Sequence, residues 1–214
     1  MLGKAFLLAV EGSIGVGKTS LATLIAERLE ARLVEEEFDE NPFLEDFYRA
    51  PESYAFQTQL WFLLSRYRQQ QDLQQLDLFA PLLVTDYMFM KDRLFASLTL
   101  SEKEMALYNR LAGLLERDVV YPDLVIYLQS DTDRLMANIK ARGRTYEQRM
   151  DWKYLDSLNQ LYNEYFFRYD HSPLLIINTN DIDFVNKRTD LDEIIKFVRE
   201  PVTGTRFLNP ARSQ

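Results

Sequence analysis

Gly12-Ser13-Ile14-Gly15-Val16-Gly17-Lys18-Thr19 follows the spacing G-x-x-x-x-G-K-[ST], the phosphate-cradling P-loop. The flanking residues supply the context this motif requires. Before it, Ala5-Phe6-Leu7-Leu8-Ala9-Val10 is a short apolar run that suits a buried parallel strand. After it, Ser20 to Ala31 carries Leu21, Leu24, Ile25, Ala26 and Leu29 at a helical period. Strand, glycine loop and helix in that order aim backbone N–H groups and a helix N-terminus at one anion. Gly12 to Ser20 is therefore the expected nucleotide-binding set, with Lys18 reaching the outer phosphates and the Thr19 hydroxyl ligating magnesium. The alternative, a chance glycine-rich turn, does not require a strand before it and a helix after it.

The pattern repeats outward from this loop. Arg32-Leu33-Val34, Leu82-Leu83-Val84-Thr85-Asp86, Leu124-Val125-Ile126-Tyr127-Leu128 and Pro173 to Asn178 read as further apolar strands. Between them lie helical patterns at Phe43 to Tyr48, Glu52 to Leu73, Ser101 towards Arg117, Ser130 through Ile139, Trp152 to Tyr169 and Leu191 to Val198. Ser101 with Glu104, and Ser130 with Asp133, have the spacing of capping boxes. Five strands alternating with helices predict an α/β fold with a five-stranded parallel sheet covered on both faces, a three-layer α/β/α arrangement. Residues 1–200 are expected to form one domain, and residues 201–214 a loose polar tail. In such sheets ligands sit at the carboxyl ends of the strands, which brings the P-loop, Glu35 to Glu37, Asp86 and the loop after Leu128 to one crevice.

Composition narrows the chemistry. The 214 residues carry 25 Lys plus Arg against 33 Asp plus Glu, a net charge of −8, which does not suit a broad nucleic-acid surface. With no cysteine there is no disulfide, thiolate zinc site or thiol nucleophile, and the single histidine, His171, rules out histidine-rich metal chemistry. The first apolar run is too short for a signal peptide or a membrane span, so no membrane association and a cytoplasmic location are expected.

Several side-chain groups on the sheet's ligand edge read in two ways. Glu35-Glu36-Glu37 supplies either the carboxylate that accepts a proton from an acceptor hydroxyl or a solvated acidic run. Asp86 is favoured as a magnesium or phosphate-site residue over a helix N-cap. Arg142-Gly143-Arg144 suits a lid closing over phosphates, or else cations set against a helix C-terminus; beside an intact P-loop the lid is the better reading. Gln59 and Arg66, seven apart, share one helix face that either reads a nucleobase edge or is an exposed polar face. The aromatic residues from Tyr146 to Tyr169, Trp152 included, read as core and dimer packing.

Together the P-loop, Glu36 through Asn41-Pro42-Phe43-Leu44, the Gln59-to-Arg66 helix, Asp86, Asp92, and Arg142-Gly143-Arg144 with Glu147 resemble the bacterial deoxynucleoside kinases. The resemblance covers roughly residues 5 to 184. It implies a P-loop NTPase fold with a helical lid, usually dimeric through a helical pair, using ATP and magnesium. It puts the general base on Glu36, the sugar 3′-hydroxyl on Tyr48 and its lid partner Glu147, and base recognition on Gln59, Arg66 and Asp92. The donor's adenine falls on the loop Asn180 to Phe184, with Asp183 and Phe184 in its binding set. Lys18, Arg142 and Arg144 are then the cations that stabilise the moving phosphoryl group, and Thr19 and Asp86 the magnesium side.

Two positions depart from the family pattern. Asp86-Tyr87-Met88 stands where Asp-Arg-Ser or Glu-Arg-Ser is common, and Asn138 stands where the lid has its first arginine. Lys91 and Arg93 are the nearby cations in sequence. The expected activity is ATP-dependent phosphorylation of a deoxynucleoside 5′-hydroxyl in nucleotide salvage, with deoxyadenosine or deoxyguanosine favoured. The rivals are a nucleoside monophosphate kinase, such as thymidylate kinase, and a non-catalytic ATP-binding regulatory module.

Overall fold

The computed structural model describes residues 5–76 and 80–208. The sheet is built from β1 (Phe6–Gly12), β2 (Arg32–Val34), β3 (Leu82–Thr85), β4 (Leu124–Gln129), β5 (Leu174–Asn178) and β6 (Thr205–Leu208), in the spatial order β2-β3-β1-β4-β5-β6. Every neighbouring pair is parallel. Helices α1 (Lys18–Leu29), α2 (Leu44–Arg49), α3 (Pro51–Leu76), α4 (Lys91–Thr99), α5 (Glu102–Leu115), α6 (Thr132–Arg142), α7 (Trp152–Phe167) and α8 (Arg188–Arg199) make the connections.

Alternation along the central strands builds the two faces. Leu124, Ile126 and Leu128 of β4 point into one core with Leu21 and Ile25 of α1 and Leu191, Ile194 and Ile195 of α8. Val125 and Tyr127 point into the other, against Leu158, Tyr162 and Phe166 of α7, with Leu94, Phe95 and Leu98 of α4 packed beside them. Because both faces are covered, the strands read as unbroken apolar runs. A third cluster joins α3 to α4 and α5 through Leu63, Phe89, Ala96, Tyr108 and Ala112.

The three-layer α/β/α arrangement stands, but among the described residues the sheet has six strands rather than five. The sixth is Thr205–Leu208, inside the segment expected to be a loose tail; Leu208 is buried and Arg206 is ion-paired with Glu200 at 3.1 Å. An edge strand half open to solvent lacks the apolar run that marked the other five. Residues 209–214 of that tail lie outside the described residues. The Ser101–Glu104 capping box forms, whereas the one expected at Ser130 and Asp133 does not. There Asp131 is the N-cap without a side-chain bond, and the Ser130 hydroxyl bonds instead to the Asn180 side chain at 3.1 Å. Helix α4 was not expected, although Leu94, Phe95 and Leu98 stand at helical spacing; Met90 precedes it in helical conformation and offers no capping side chain.

Candidate active site

The P-loop turns on glycines. Gly15 and Gly17 have φ of 84° and 99°, in the left-handed region that glycine adopts without strain. A Cβ on Gly15 would stand 2.7 Å from the Leu135 carbonyl oxygen, so the loop rests directly on α6. Asn138 of that helix donates its amide to the Gly15 carbonyl at 2.8 Å. The residue standing in place of a lid arginine therefore pins the loop. Lys18 Nζ donates to the carbonyls of Gly12 and Ser13 at 2.8 and 3.1 Å. Burial pushes its ammonium down to about 8, and the nearby Lys91 adds to the shift against the opposing pull of Glu11, Glu36 and Asp86. The Ser13 hydroxyl is buried within the loop with no partner.

Behind the loop lies a carboxylate that the sequence reading passed over. Glu11 is 1% exposed and accepts from the backbone N–H groups of Gly12 at 3.0 Å and Met88 at 2.7 Å. It ties the start of the P-loop to the segment after β3. Burial pushes its carboxyl up, with Lys91 and Lys18 pulling the other way. A charged residue in β1 directly after its apolar run was the signal for it.

Ends of neighbouring strands deliver the next layer. Asp86, just past β3, accepts from the Thr19 hydroxyl at 2.5 Å and from the Glu36 backbone N–H at 2.8 Å. It caps no helix, since α4 begins at Lys91. Of the acidic triplet, Glu35 and Glu37 face solvent and Glu36 turns inward. Glu36 is held between two cations: Lys91 Nζ donates to Oε2 at 2.5 Å, and the Arg66 guanidinium donates to Oε1. Burial alone would raise the Glu36 carboxyl, but Lys91 and Arg66 outweigh it and hold it at about 2.

Arg66 also donates to Asp92 Oδ1 at 2.5 Å, and the Tyr108 hydroxyl donates to Asp92 Oδ2 at 2.9 Å. One buried chain of contacts thus runs Lys91–Glu36–Arg66–Asp92–Tyr108. Gln59 sits beside it, its Nε2 bonded to Thr99 Oγ1 at 3.3 Å and its buried Oε1 without a partner. Gln59 and Arg66 are each 2% exposed, which removes the exposed-face reading. A buried, unpaired amide oxygen in an aromatic slot with Phe62 and Phe95 suits a ring that donates an N–H.

The lid begins where Gly143, at φ 72°, ends α6. Arg142 forks onto both Glu147 oxygens at 2.6 Å, and Arg144 lies 3.6 Å from the same carboxylate while its guanidinium covers the Phe38 ring at 4.1 Å. Tyr146 donates to Asp39 at 2.9 Å and its ring packs on Tyr48, 5.5 Å between centroids. Burial, with Tyr154 and Glu147 close by, pushes the Tyr48 phenol well above its ordinary range.

One cleft is lined by Gly15, Lys18, Thr19, Glu36, Tyr48, Gln59, Arg66, Asp86, Asp92, Arg142, Arg144 and Glu147. Ile14 of the expected nucleotide set lines it too. Phe184 would meet a Gly17 Cβ at 3.1 Å, and Asp183 accepts from the Asn186 backbone and amide. Arg134 braces this loop through the carbonyls of Asn180 and Ile182. Among the described residues no group of three or more His, Cys, Asp or Glu is placed to hold a metal. Thr19 and Asp86 offer hard oxygen donors of the kind that share magnesium with phosphates, so the residues present fit that ion.

The sequence profile described as deoxynucleoside kinase matches residues 8–203. Deoxyguanosine kinase of Bacillus subtilis (strain 168) is 30% identical over 93% of this chain and 99% of its own length. Deoxyadenosine kinase of Dictyostelium discoideum is 31% identical over 94% of this chain and 81% of its own. Among solved structures, deoxyadenosine kinase from M. mycoides with bound dATP superposes with a TM-score of 0.78 at 23% identity, over 91% of this chain and 100% of that one. The same enzyme with bound dCTP gives 0.79 at 22% identity, over 90% and 98%.

Proposed function

The chain belongs to the deoxynucleoside kinase family, and from that premise we propose that it transfers the γ-phosphoryl group of ATP to the 5′-hydroxyl of a purine deoxynucleoside. One observation carries the reading: the P-loop cation Lys18, the inward carboxylate Glu36 and the Gln59–Arg66–Asp92 set line a single cleft. Phosphates, hydroxyl and base each find their complement along it.

Glu36 takes the hydroxyl proton. A carboxylate held at about 2 is ionised throughout the working range, and its weak basicity suits a loose transition state in which charge sits mainly on the transferring oxygens. Magnesium, when bound, neutralises phosphate charge; Thr19 would hold it, with Asp86 acting through water. Lys18 leaves the P-loop carbonyls for the outer phosphates, and Arg142 and Arg144 turn part of their charge from Glu147 towards them. Tyr48 and Glu147 hold the sugar, and Asp183 and Phe184 flank the donor's base. The purine preference rests on relatives described as deoxyguanosine and deoxyadenosine kinases.

A homodimer accompanies this reading, supported by leucines left exposed on neighbouring helices: Leu64 of α3 and Leu107 and Leu114 of α5 are 52%, 48% and 65% exposed. Cytoplasmic nucleotide salvage is the setting it implies, and among the described residues no helix is long and apolar enough to cross a membrane. The test is ADP release from ATP and magnesium with the four deoxynucleosides, their ribonucleosides and dTMP. Turnover with deoxyguanosine or deoxyadenosine supports the proposal. Turnover confined to deoxycytidine or thymidine overturns the purine preference, and turnover with dTMP alone overturns the acceptor class.

A further inference from the structure

Phosphoryl transfer spreads negative charge over the acceptor side of the phosphorus as well as the donor side, and each side needs a cation within reach. Among the described residues five cations line the cleft: Lys18, Arg66, Lys91, Arg142 and Arg144. Lys18 belongs to the phosphate loop. Arg142 and Arg144 are gathered on Glu147, and Arg66 is fixed between Glu36 and Asp92 at the base end. Tyr87 is 1% exposed and its hydroxyl has no partner, so it brings no charge to the acceptor. Arg93 is turned to Glu116 at 2.7 Å and does not line the cleft.

Lys91 is placed differently from all of these. It opens α4 with a side chain 7% exposed, and its ammonium donates to Glu36 Oε2 at 2.5 Å. Contacts continue from the Glu36 backbone to Asp86 and from Asp86 to Thr19 of the P-loop. Its charge is also felt by Lys18, at the other side of the transfer path. An ammonium has three donors, and the Glu36 bond uses one.

We propose that Lys91 is a further catalytic residue, the cation that serves the acceptor side of the transfer. This rests on the kinase reading above. The 5′-oxygen forms its bond to the γ-phosphorus as the bond from that phosphorus to the β,γ-bridging oxygen of ATP breaks. The hydroxyl proton passes to Glu36, and the bond's electron pair leaves on ADP. Lys91 keeps one donor on Glu36 and gives another to the acceptor oxygen and an equatorial oxygen of the phosphoryl group. It thereby stabilises both the ionised base and the charge arriving beside it.

The experiment compares wild type, Lys91→Met, Lys91→Arg and Lys91→Cys, with Arg93→Met as control, measuring kcat and KM for deoxyguanosine, ATP affinity and unfolding midpoint. The chain has no native cysteine, so bromoethylamine restores an ammonium at position 91 alone, and this pair carries the test if Lys91→Met does not fold. The expected result is a kcat lowered about 100- to 1,000-fold in Lys91→Met. KM and ATP affinity should move less than about fivefold, Arg93→Met should keep wild-type turnover, and Lys91→Arg or the aminoethylated cysteine should recover kcat about tenfold or more, the scale of one retained charged donor. Unchanged kcat in Lys91→Met overturns the proposal. So does a loss that neither restored cation repairs, because the position then needs shape rather than charge. If wild type itself phosphorylates no nucleoside, the kinase reading fails instead.

Discussion

Glu36 and Lys18 set the titration behaviour of the site. Replacing Glu36 by glutamine keeps the shape and removes the proton acceptor; turnover should fall about 100- to 10,000-fold, the usual range for a positioned base, with ATP affinity near wild type. Steady-state kinetics beside equilibrium nucleotide binding checks the split. Because the folded carboxyl lies below its ordinary value, its ion pairs stabilise the protein at neutral pH, and that contribution is lost as pH falls from about 4.5 towards about 2. Lys18 works in the opposite range. Its ammonium, pushed down to about 8, loses its proton as pH rises through that value. In free enzyme kcat/KM for ATP should therefore decline above about pH 8, while kcat holds to higher pH because bound phosphates favour the charged form. A pH series of both constants decides it; a flat kcat/KM up to pH 10 contradicts the environment described for Lys18.

Among the elements, the P-loop and α6 act as one piece. A methyl group on Gly15 meets the Leu135 carbonyl at 2.7 Å and a left-handed backbone, so Gly15→Ala should destabilise the fold by about 1–3 kcal/mol and weaken nucleotide binding. Denaturant unfolding and ATP titration measure the two effects, and a fully stable variant would mean that α6 moves aside easily. The loop, α1 and the buried strands were legible because each announces itself locally, by glycine spacing or an apolar run. Helix α4 and β6 were not, since one is a single nine-residue helix set close behind β3 and the other is a mixed-polarity edge. The contacts of Lys91, Glu11 and Tyr108 were also out of reach. Lys91 meets Glu36 across 55 residues and Met88 meets Glu11 across 77, and only the sheet order brings such pairs together.

At the scale of the whole molecule, the leucines on α3 and α5 bear on assembly. Leu114→Glu places a charge on that face and should convert a dimer to a monomer in light scattering, with the unfolding midpoint of the monomer little changed. A wild-type monomer would refute the assembly outright. Resemblance identified Gln59, Arg66 and Asp92 as one group and Glu36 as another, but not that a single guanidinium belongs to both. Arg66 grips Glu36 with one nitrogen and Asp92 with another, so on the proposed reading the part of the cleft that chooses a base and the part that activates a hydroxyl have a member in common. Selection for a new nucleobase at Asp92 then acts on speed at the same time. Variants that broaden the substrate range should emerge slow, and recover only through changes elsewhere that re-seat Arg66.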